Sequence, residues 1–263
     1  MAARLNPGEY WLQQLRERLL APPRQPRVPL TWLGNTVGSV EPALLQRIAV
    51  PQLRERDGTY EIIGELTSSL AAIADALRAG GVVYAWRDEL LAVRDEAGVM
   101  LGKVERGVVR ILGIATEAVH LLGVHPDGGQ WLQQRAFDKP DDPGLWDTMV
   151  GGLMGADESV EETLARETWE EAGLRLEQVQ GLERVGSFVT RRPKRNQVGG
   201  YVVERLTWFR CVVPEGTQPA NQDGEVAQFR RMDEVEIARR LERDEFTLDA
   251  SLMLAEGAMP SDA

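Results

Sequence analysis

Three glutamates crowd the end of one helical segment of this 263-residue chain. Glu167, Glu170 and Glu171 are spaced so that a helix places them close together on one side. Carboxylates one turn apart repel each other, and the negative end of the helix dipole disfavours them further. A bound divalent cation would replace this repulsion with ligation, and carboxylate oxygens suit Mg²⁺ or Mn²⁺. The alternative is that the three glutamates form a solvated acidic face.

The helix that carries these glutamates is predicted to run from Ser159 to Ala172. Ser159 and Glu162 have the spacing of a capping box, and Gly173 can adopt the left-handed conformation that ends a helix. Arg166 is the only cation of the segment and could pair with Glu162 or with Glu170, since both are one turn away. At about 100° per residue, an apolar stripe is predicted from Leu164, Ala165, Thr168 and Ala172.

The stretch from Gly151 to Leu174, which we call the box, resembles the signature of the Nudix hydrolases. Its glycine and charged positions are all filled, by Gly152, Glu158, Arg166, Glu167, Glu170, Glu171 and Gly173. Thr168 is the one departure, because the family has an aliphatic residue there. A β-branched threonine can pack on the same side of the helix, so the chemistry is expected to be unaffected.

The resemblance implies a metal-dependent hydrolase of substrates in which a pyrophosphate is linked to another moiety. The implied metal ligands are the carbonyl of Gly151 and the carboxylates of Glu167, Glu170 and Glu171. Arg166 would orient a ligand carboxylate, and the structural positions of the box would be Gly152, Glu158 and Gly173. Glu225 precedes a predicted strand at a position that resembles the site of a further Nudix carboxylate. It is therefore a candidate fifth ligand or general base, although spacing alone cannot place it beside a water.

Basic residues near the box are candidates for binding substrate phosphates, because guanidinium and ammonium groups suit phosphate oxygens. The candidates are Arg135, Lys139, Arg191 and Arg192. Arg191 and Arg192, together with Lys194 and Arg195, are expected in a basic loop between two strands. The alternative for all of them is a solvated surface position.

The chain has few other residues of the types that bind metals or act as nucleophiles, and these are expected to have packing roles. His120 and His125 lack a third ligand nearby and are expected to be a packed or turn histidine rather than a zinc site. Cys211 stands alone in a strand-like run and is expected to be a core thiol. A single cysteine excludes a disulfide framework and a cysteine-rich metal site.

The periodicity of the chain predicts an α/β fold in two domains. Domain 116–257 is expected to be a Nudix α/β/α sandwich with a mixed sheet, and 1–115 a smaller α+β domain. Helices are predicted over 9–20, 64–81 and, more briefly, 104–114, and a single strand over 146–153. The N-terminal portion shows no catalytic constellation of its own.

The N-terminal pieces resemble the domain of unknown function that precedes one Nudix branch, which also occurs fused to thiamine pyrophosphokinase. That resemblance implies hydrolysis of oxidised or damaged thiamine diphosphate to the monophosphate. The alternatives are a pyrophosphohydrolase acting on an ADP-sugar or damaged nucleotide, and a diphosphate-ligand sensor that has lost catalysis.

The composition points to a globular protein that acts on small molecules. Hydrophobic residues make up 43% of the chain, and the net charge of −11 disfavours binding to nucleic acid. The first 20 residues lack the apolar stretch of a signal peptide, and no apolar run is long enough to span a membrane. We therefore expect a cytoplasmic monomer or homodimer that binds a small diphosphate and Mg²⁺ or Mn²⁺, with no nucleic-acid or membrane partner.

Overall fold

The computed structural model describes residues 8–83, 85–195 and 197–257. Residues 1–7, the start of the predicted 1–115 domain and of the first 20 residues considered above, lie outside the described residues. The helices are α1 Glu9–Leu19, α2 Pro42–Leu45, α3 Leu66–Ala79, α4 Val160–Ala172, α5 Glu234–Leu241 and α6 Leu248–Gly257. The strands are β1 Val28–Trp32, β2 Asn35–Val40, β3 Leu53–Arg56, β4 Thr59–Ile62, β5 Leu90–Arg94, β6 Met100–Glu105, β7 Thr116–Val124, β8 Gln130–Arg135, β9 Trp146–Asp147, β10 Val150–Leu153, β11 Gln180–Pro193, β12 Tyr201–Val212 and β13 Val226–Met232.

The N-terminal region, residues 8–115, combines a small sheet, a hairpin and one long helix. The sheet has the order β2-β1-β4-β3, with β1 and β4 parallel and the outer pairs antiparallel; β5 and β6 form a separate hairpin. Helix α3 buries an apolar stripe that includes Leu66, Ile73 and Leu77 in a core shared with both sheets. Glu65 caps this helix by accepting hydrogen bonds from the first-turn N–H groups.

The C-terminal region, residues 116–257, is built on a mixed sheet. Its central order is β11-β12-β7-β8-β13; β10 pairs with β7, and β9 pairs with β8. Strands β7 and β12 are parallel, and the other pairs are antiparallel. The register between β10 and β7 places Gly151 opposite His120, so the start of the box lies at the centre of the sheet.

Both faces of this sheet are covered by helices because its central strands are apolar on both sides. In β7, Ala118 and Leu122 pack in the cluster that contains residues of α5 and α6. Val119 and Leu121 point the other way and pack in the cluster of α4. Strand alternation therefore gives two hydrophobic cores, one on each side. This confirms the predicted α/β sandwich with a mixed sheet, preceded by a smaller α+β region.

The first helix, α1, packs against the C-terminal region rather than against the N-terminal core. Leu15 and Leu19 form a small cluster with Leu252 of α6, beside Phe188 of β11. The helix matches the predicted 9–20 segment closely. Within the described ranges, no helix has both the length and the apolar character needed to span a membrane.

Three predicted elements differ from the structure. Segment 104–114 is not an α-helix but the end of β6 followed by a 3-10 turn over Arg106–Val108. Segment 146–153 is two short strands, β9 and β10, because each pairs with a different neighbour. Arg191 and Arg192 lie in β11 and not in the loop, since β11 and β12 pair as far as the Pro193–Tyr201 pair.

Candidate active site

Helix α4 carries the box carboxylates and has the predicted ends. Ser159 and Glu162 form a complete capping box, and Gly173 ends the helix with a φ of 63°. The predicted apolar stripe was wrong at one position, because Ala165 is exposed. The buried side of the helix is instead centred between Leu164 and the glutamates. It consists of Thr163, Leu164, Glu167, Thr168, Glu171 and Ala172.

Glu171 is the most deeply buried carboxylate of the box, with a side chain that is 1% exposed. Its Oε2 accepts hydrogen bonds from the backbone N–H of Gly151 and from the side-chain amide of Gln133, both at 2.8 Å. Its Oε1 is buried without a hydrogen-bond partner among the described residues, and Lys139 Nζ lies 3.9 Å away. Burial raises the pKa of Glu171 to about 8, and the charge of Lys139 opposes this rise only in part. A further cation would be needed to keep this carboxyl ionised at neutral pH.

Glu167 lies directly against the backbone of the strand that precedes the helix. A Cβ atom on Gly152 would come within 1.9 Å of the Glu167 carboxyl carbon, so only glycine leaves room for this carboxylate. Burial raises the pKa of Glu167 to about 7, although Arg166 pulls it in the other direction. Glu167 therefore shares with Glu171 a partly protonated state near neutral pH, which a bound cation would convert to the carboxylate.

Arg166 donates hydrogen bonds to three carboxylates of the box. Its Nε and Nη2 donate to the two carboxylate oxygens of Glu158 at 2.6 and 2.8 Å. Its Nη1 donates to Glu167 at 2.8 Å and to Glu170 at 3.0 Å. Of the two predicted pairings one turn away, the structure has the one with Glu170, while Glu162 is used in the capping box. The Arg166 hydrogen bonds lower the pKa of Glu158 to about 2, so this anchor stays ionised.

Glu225 reaches the same site from the start of β13. The Lys139 ammonium forms a short ion pair with Glu225 and also lies near Glu171, so it bridges the two carboxylates. Burial alone would raise the pKa of Glu225, but Lys139 outweighs burial and lowers it below its ordinary value. The Glu225 side chain is 46% exposed. It is thus an ionised, accessible carboxylate, as a general base or an outer metal ligand requires.

These groups line one cavity of about 1000 Å³. Of the predicted site residues, those on its wall are Arg135, Lys139, Gly151, Gly152, Glu158, Arg166, Glu167, Glu170, Arg192 and Glu225. Glu171 lies behind Gly151, to which it is hydrogen-bonded. Arg191 is exposed and is not on this wall, since adjacent strand residues point to opposite faces.

Two of the predicted phosphate-binding arginines are already engaged by the protein. Arg135 donates from Nε and Nη2 to the carbonyl of Asp141 at 3.1 and 3.0 Å, and lies 3.4 Å from the carboxylate of Asp147. Arg192 Nη2 pairs with buried Asp249 at 2.7 Å. Both arginines shape the cavity wall, and each retains further N–H groups.

The N-terminal region also contributes to the cavity, which the sequence reasoning missed. The residues that it supplies to the wall are Arg87, Glu89, Arg106 and Arg110. Their signal in the sequence is weak, because isolated arginines in a turn-rich segment resemble an ordinary solvated surface. The tertiary contact between the two regions brings them to the site.

The box fits a hard divalent cation, although the carboxylates are paired with cationic side chains here. Within residues 8–83, 85–195 and 197–257, no three histidine, cysteine, aspartate or glutamate side chains form a ready-made metal centre. Arg166 already joins Glu167 and Glu170 through one guanidinium nitrogen, and Glu171 keeps one buried oxygen without a hydrogen-bond donor. Oxygen donors of this kind suit Mg²⁺ or Mn²⁺. Glu167, Glu170 and Glu171 are therefore the side chains that would hold such a cation.

The histidines and the cysteine are packed as expected. His120 is buried, and its Nδ1 lies 2.8 Å from the Thr148 hydroxyl. His125 lies in the turn after β7, where its ring is 2.8 Å from the carboxylate of Asp127. Cys211 is fully buried, and burial raises the pKa of its thiol to about 12. His120 also lies on the wall of the active-site cavity, whereas His125 and Cys211 are not among the described residues that line it.

Several known proteins resemble this chain. Two proteins of Arabidopsis thaliana, "Nudix hydrolase 24, chloroplastic" and "Nudix hydrolase 20, chloroplastic", are 27% and 26% identical to it over 71% and 68% of its length. The chain spans about half the length of these relatives, 51% and 48%. An uncharacterized Nudix hydrolase of Pseudomonas aeruginosa is 34% identical over 33% of this chain and 52% of its own length.

A solved structure and a family of domains also match the chain. The crystal structure of DR0079 from Deinococcus radiodurans covers 65% of this chain and 97% of its own, with 20% identity and a TM-score of 0.49. The family described as NUDIX domain matches residues 115–252, which contain the whole box and Glu225. The chain therefore belongs to the Nudix family.

Proposed function

We propose that this chain is a metal-dependent pyrophosphohydrolase that cleaves a diphosphate bond. One observation carries the proposal: the buried carboxylate of Glu167 lines one cavity with Glu170 and Glu225, and the buried carboxylate of Glu171 lies behind Gly151 of the same wall. A purely structural acidic surface does not need buried carboxylates with raised pKa values, because burial of an unpaired carboxylate costs free energy.

We assign metal binding, orientation of the ligands and proton transfer to different residues. Glu167, Glu170, Glu171, the carbonyl of Gly151 and Glu225 are the proposed ligands of Mg²⁺ or Mn²⁺. When bound, such a cation neutralises charge on the phosphate oxygens and activates water. Arg166 orients Glu167 and Glu170 through its hydrogen bonds, and Glu158 anchors Arg166. Glu225 is the proposed acceptor of the water proton, because its pKa is held low and it is accessible.

We favour thiamine diphosphate in oxidised or damaged form as the substrate, with the monophosphate and phosphate as products. The support is the resemblance of the N-terminal pieces to the domain that precedes one Nudix branch. The second candidate is the same reaction on an ADP-sugar or a damaged nucleotide, which the box chemistry fits equally well. A diphosphate-ligand sensor without catalysis is less well supported, since the complete set of box carboxylates is present.

We also propose the division of the chain into 1–115 and 116–257 and a cytoplasmic location as a monomer or homodimer. The boundary lies just before β7, the first strand of the C-terminal sheet. The single cysteine and the net charge of −11 fit a protein of a reducing compartment that binds small molecules rather than nucleic acid.

The test is a substrate panel with Mg²⁺ and with Mn²⁺. It compares oxidised thiamine diphosphate, ADP-ribose and nucleoside triphosphates, with products identified by mass spectrometry. We expect the thiamine derivative to give the highest kcat/KM and to yield the monophosphate and phosphate. Preferential turnover of ADP-ribose would contradict the thiamine substrate and support the second candidate, an ADP-sugar. Binding of a diphosphate without any product over hours would support the sensor and contradict catalysis.

A further inference from the structure

A small recess opens from the active-site cavity at the contact between the N-terminal region and the Nudix domain. Its volume is about 80 Å³, and Arg87, Arg106, Arg110 and Lys194 line both the recess and the main cavity. A cavity needs about 10–15 Å³ of such volume to hold one water, so the recess has room for several waters or for one tetrahedral anion. It is a compartment at one end of the cavity.

The recess is cationic in a chain of net charge −11. Among the described residues that line it, four are basic and Asp141 is the acidic one. Lys194 is paired with Asp141 at 2.5 Å, and Arg110 forms a short ion pair with Glu204. Arg87 is exposed, and its guanidinium has no ion-pair partner among the described residues. The positive charge that is left over therefore belongs to Arg87.

The other basic groups keep donors that their acidic partners do not use. Arg106 donates one N–H to Glu89 at 2.5 Å, and a guanidinium carries five N–H donors in a planar fork. Lys194 uses one of its three donors on Asp141. Arg110 and Lys194 both line the recess. Burial lowers the pKa of Lys194 and the charge of Arg110 lowers it further, while Asp141 opposes both effects in part. An anion in the recess would relieve the repulsion between the charges of Arg110 and Lys194.

Hydrogen bonds fix the backbone of the segments that carry these arginines. The buried carboxylate of Glu105 accepts hydrogen bonds from the N–H groups of Arg87, at 2.8 Å, and of Gly107, at 3.0 Å. It thereby joins the segment before β5 to the 3-10 turn that carries Arg106. Tyr201 N–H donates to the carbonyl of Arg110 at 2.8 Å and fixes this turn to β12. A preorganised site loses less conformational entropy on binding.

The recess is electrostatically connected to the carboxylates of the box. Burial lowers the pKa of Arg106, but the nearby acids, Glu89 first and then Glu225 and Glu167, raise it above its ordinary value. Arg106 lines both the recess and the main cavity, whose wall also carries Glu167 and Glu225. A diphosphate bound in the main cavity would therefore have the basic side chains of the recess within the same continuous space.

We propose that this recess binds the terminal phosphate of the substrate, so that the N-terminal region selects diphosphate monoesters over diphosphates joined to organic groups at both ends. The inference rests on the proposed hydrolase function. A terminal phosphate carries up to two negative charges, whereas a phosphate substituted on both sides carries one, so four basic groups favour the former. The specificity-determining residues are Arg87, Arg106, Arg110 and Lys194.

The first test measures binding of inorganic phosphate by calorimetry in EDTA, which removes any metal-dependent binding at the box. Arg87→Gln and Arg87→Glu are suitable variants, because the Arg87 side chain is exposed and has no ion-pair partner among the described residues. The matched controls are Arg54→Gln and Arg54→Glu, on an exposed arginine of β3 outside both cavities. We expect at least a threefold rise in Kd for Arg87→Gln, at least a tenfold rise for Arg87→Glu, and no change for the controls. Equal phosphate binding in all variants, or none in the wild type, would overturn the proposal.

The second test measures steady-state kinetics with oxidised thiamine diphosphate and Mg²⁺. Arg87→Glu should raise KM at least tenfold with less than a threefold change in kcat, since it removes an anchor and not a catalytic group. An unchanged KM would overturn the proposal even if the wild type is an active hydrolase. If the wild type hydrolyses no diphosphate, the proposed function fails, and phosphate binding alone then decides whether the recess is an anion site.

Discussion

Replacement of Glu171 by glutamine is the perturbation for which the structure gives the clearest expectation. The amide is close to the carboxyl in size, and its oxygen can keep the hydrogen bonds from Gly151 and Gln133. The variant loses the negative charge of the carboxylate, which is the proposed ligand of the divalent cation. We expect kcat to fall at least about 10²-fold, or about 2.7 kcal/mol of transition-state stabilisation.

The stability of the same variant should depend on pH in a defined direction. The pKa of Glu171 is about 8 in the folded protein against 4.5 for the free side chain, so the folded state binds the extra proton between these values. Stability of the metal-free wild type should therefore fall as pH rises from 4.5 to 8, by at most about 1.4 kcal/mol per pH unit from this group. Glu171→Gln cannot titrate and should show a flatter profile.

The assay combines phosphate release in Mg²⁺ with urea unfolding in EDTA at pH 6, 7 and 8, and circular dichroism verifies the fold. Full activity in a folded Glu171→Gln variant would refute the assignment of Glu171 as a metal ligand. A stability profile identical to that of the wild type would refute the burial argument, because the raised pKa would then have no effect on folding.

Three further predictions address the remaining parts of the site. Mg²⁺ at 100 times its Kd should stabilise the wild type by about 2.7 kcal/mol, and an unchanged melting temperature across a titration would count against an ordered metal site. Gly152→Ala should lower kcat at least about tenfold with the fold retained, because the added methyl group must displace the Glu167 carboxylate. Wild-type kinetics in this variant would show that the position of the Glu167 carboxylate does not matter for the reaction. Glu158, whose pKa is about 2 here, stabilises the fold above pH 4.5 and loses this effect as pH falls towards 2, so Glu158→Gln should lower the melting temperature at pH 7 and have little effect at pH 2.

The parts of the site that the sequence predicted are those determined by local spacing. The capping box of Ser159 and Glu162 and the left-handed Gly173 depend only on residues within a few positions, and the structure has all of them. The error at Ala165 arose because the buried side of the helix was predicted from its small and apolar residues, with the glutamates placed beside it. Burial of Glu167 and Glu171 rotates the buried side of the helix towards them, which apolar periodicity cannot indicate.

The parts that the sequence did not predict depend on contacts between distant segments. Lys139 and Glu225 are 86 positions apart, and their ion pair exists only because β8 and β13 pair in the sheet. Arg106 and Arg110 reach the cavity through packing of the N-terminal region on the Nudix domain. A tertiary contact of this kind leaves no periodic signal, so the recess became visible only in the structure.

The most direct test of the central claim is to locate manganese by anomalous scattering in a crystal grown with Mn²⁺ and a non-hydrolysable diphosphate. We predict an anomalous peak within ligation distance of the carboxylates of Glu167, Glu170 and Glu171. A crystal that shows the diphosphate bound but no manganese between these glutamates would contradict the account.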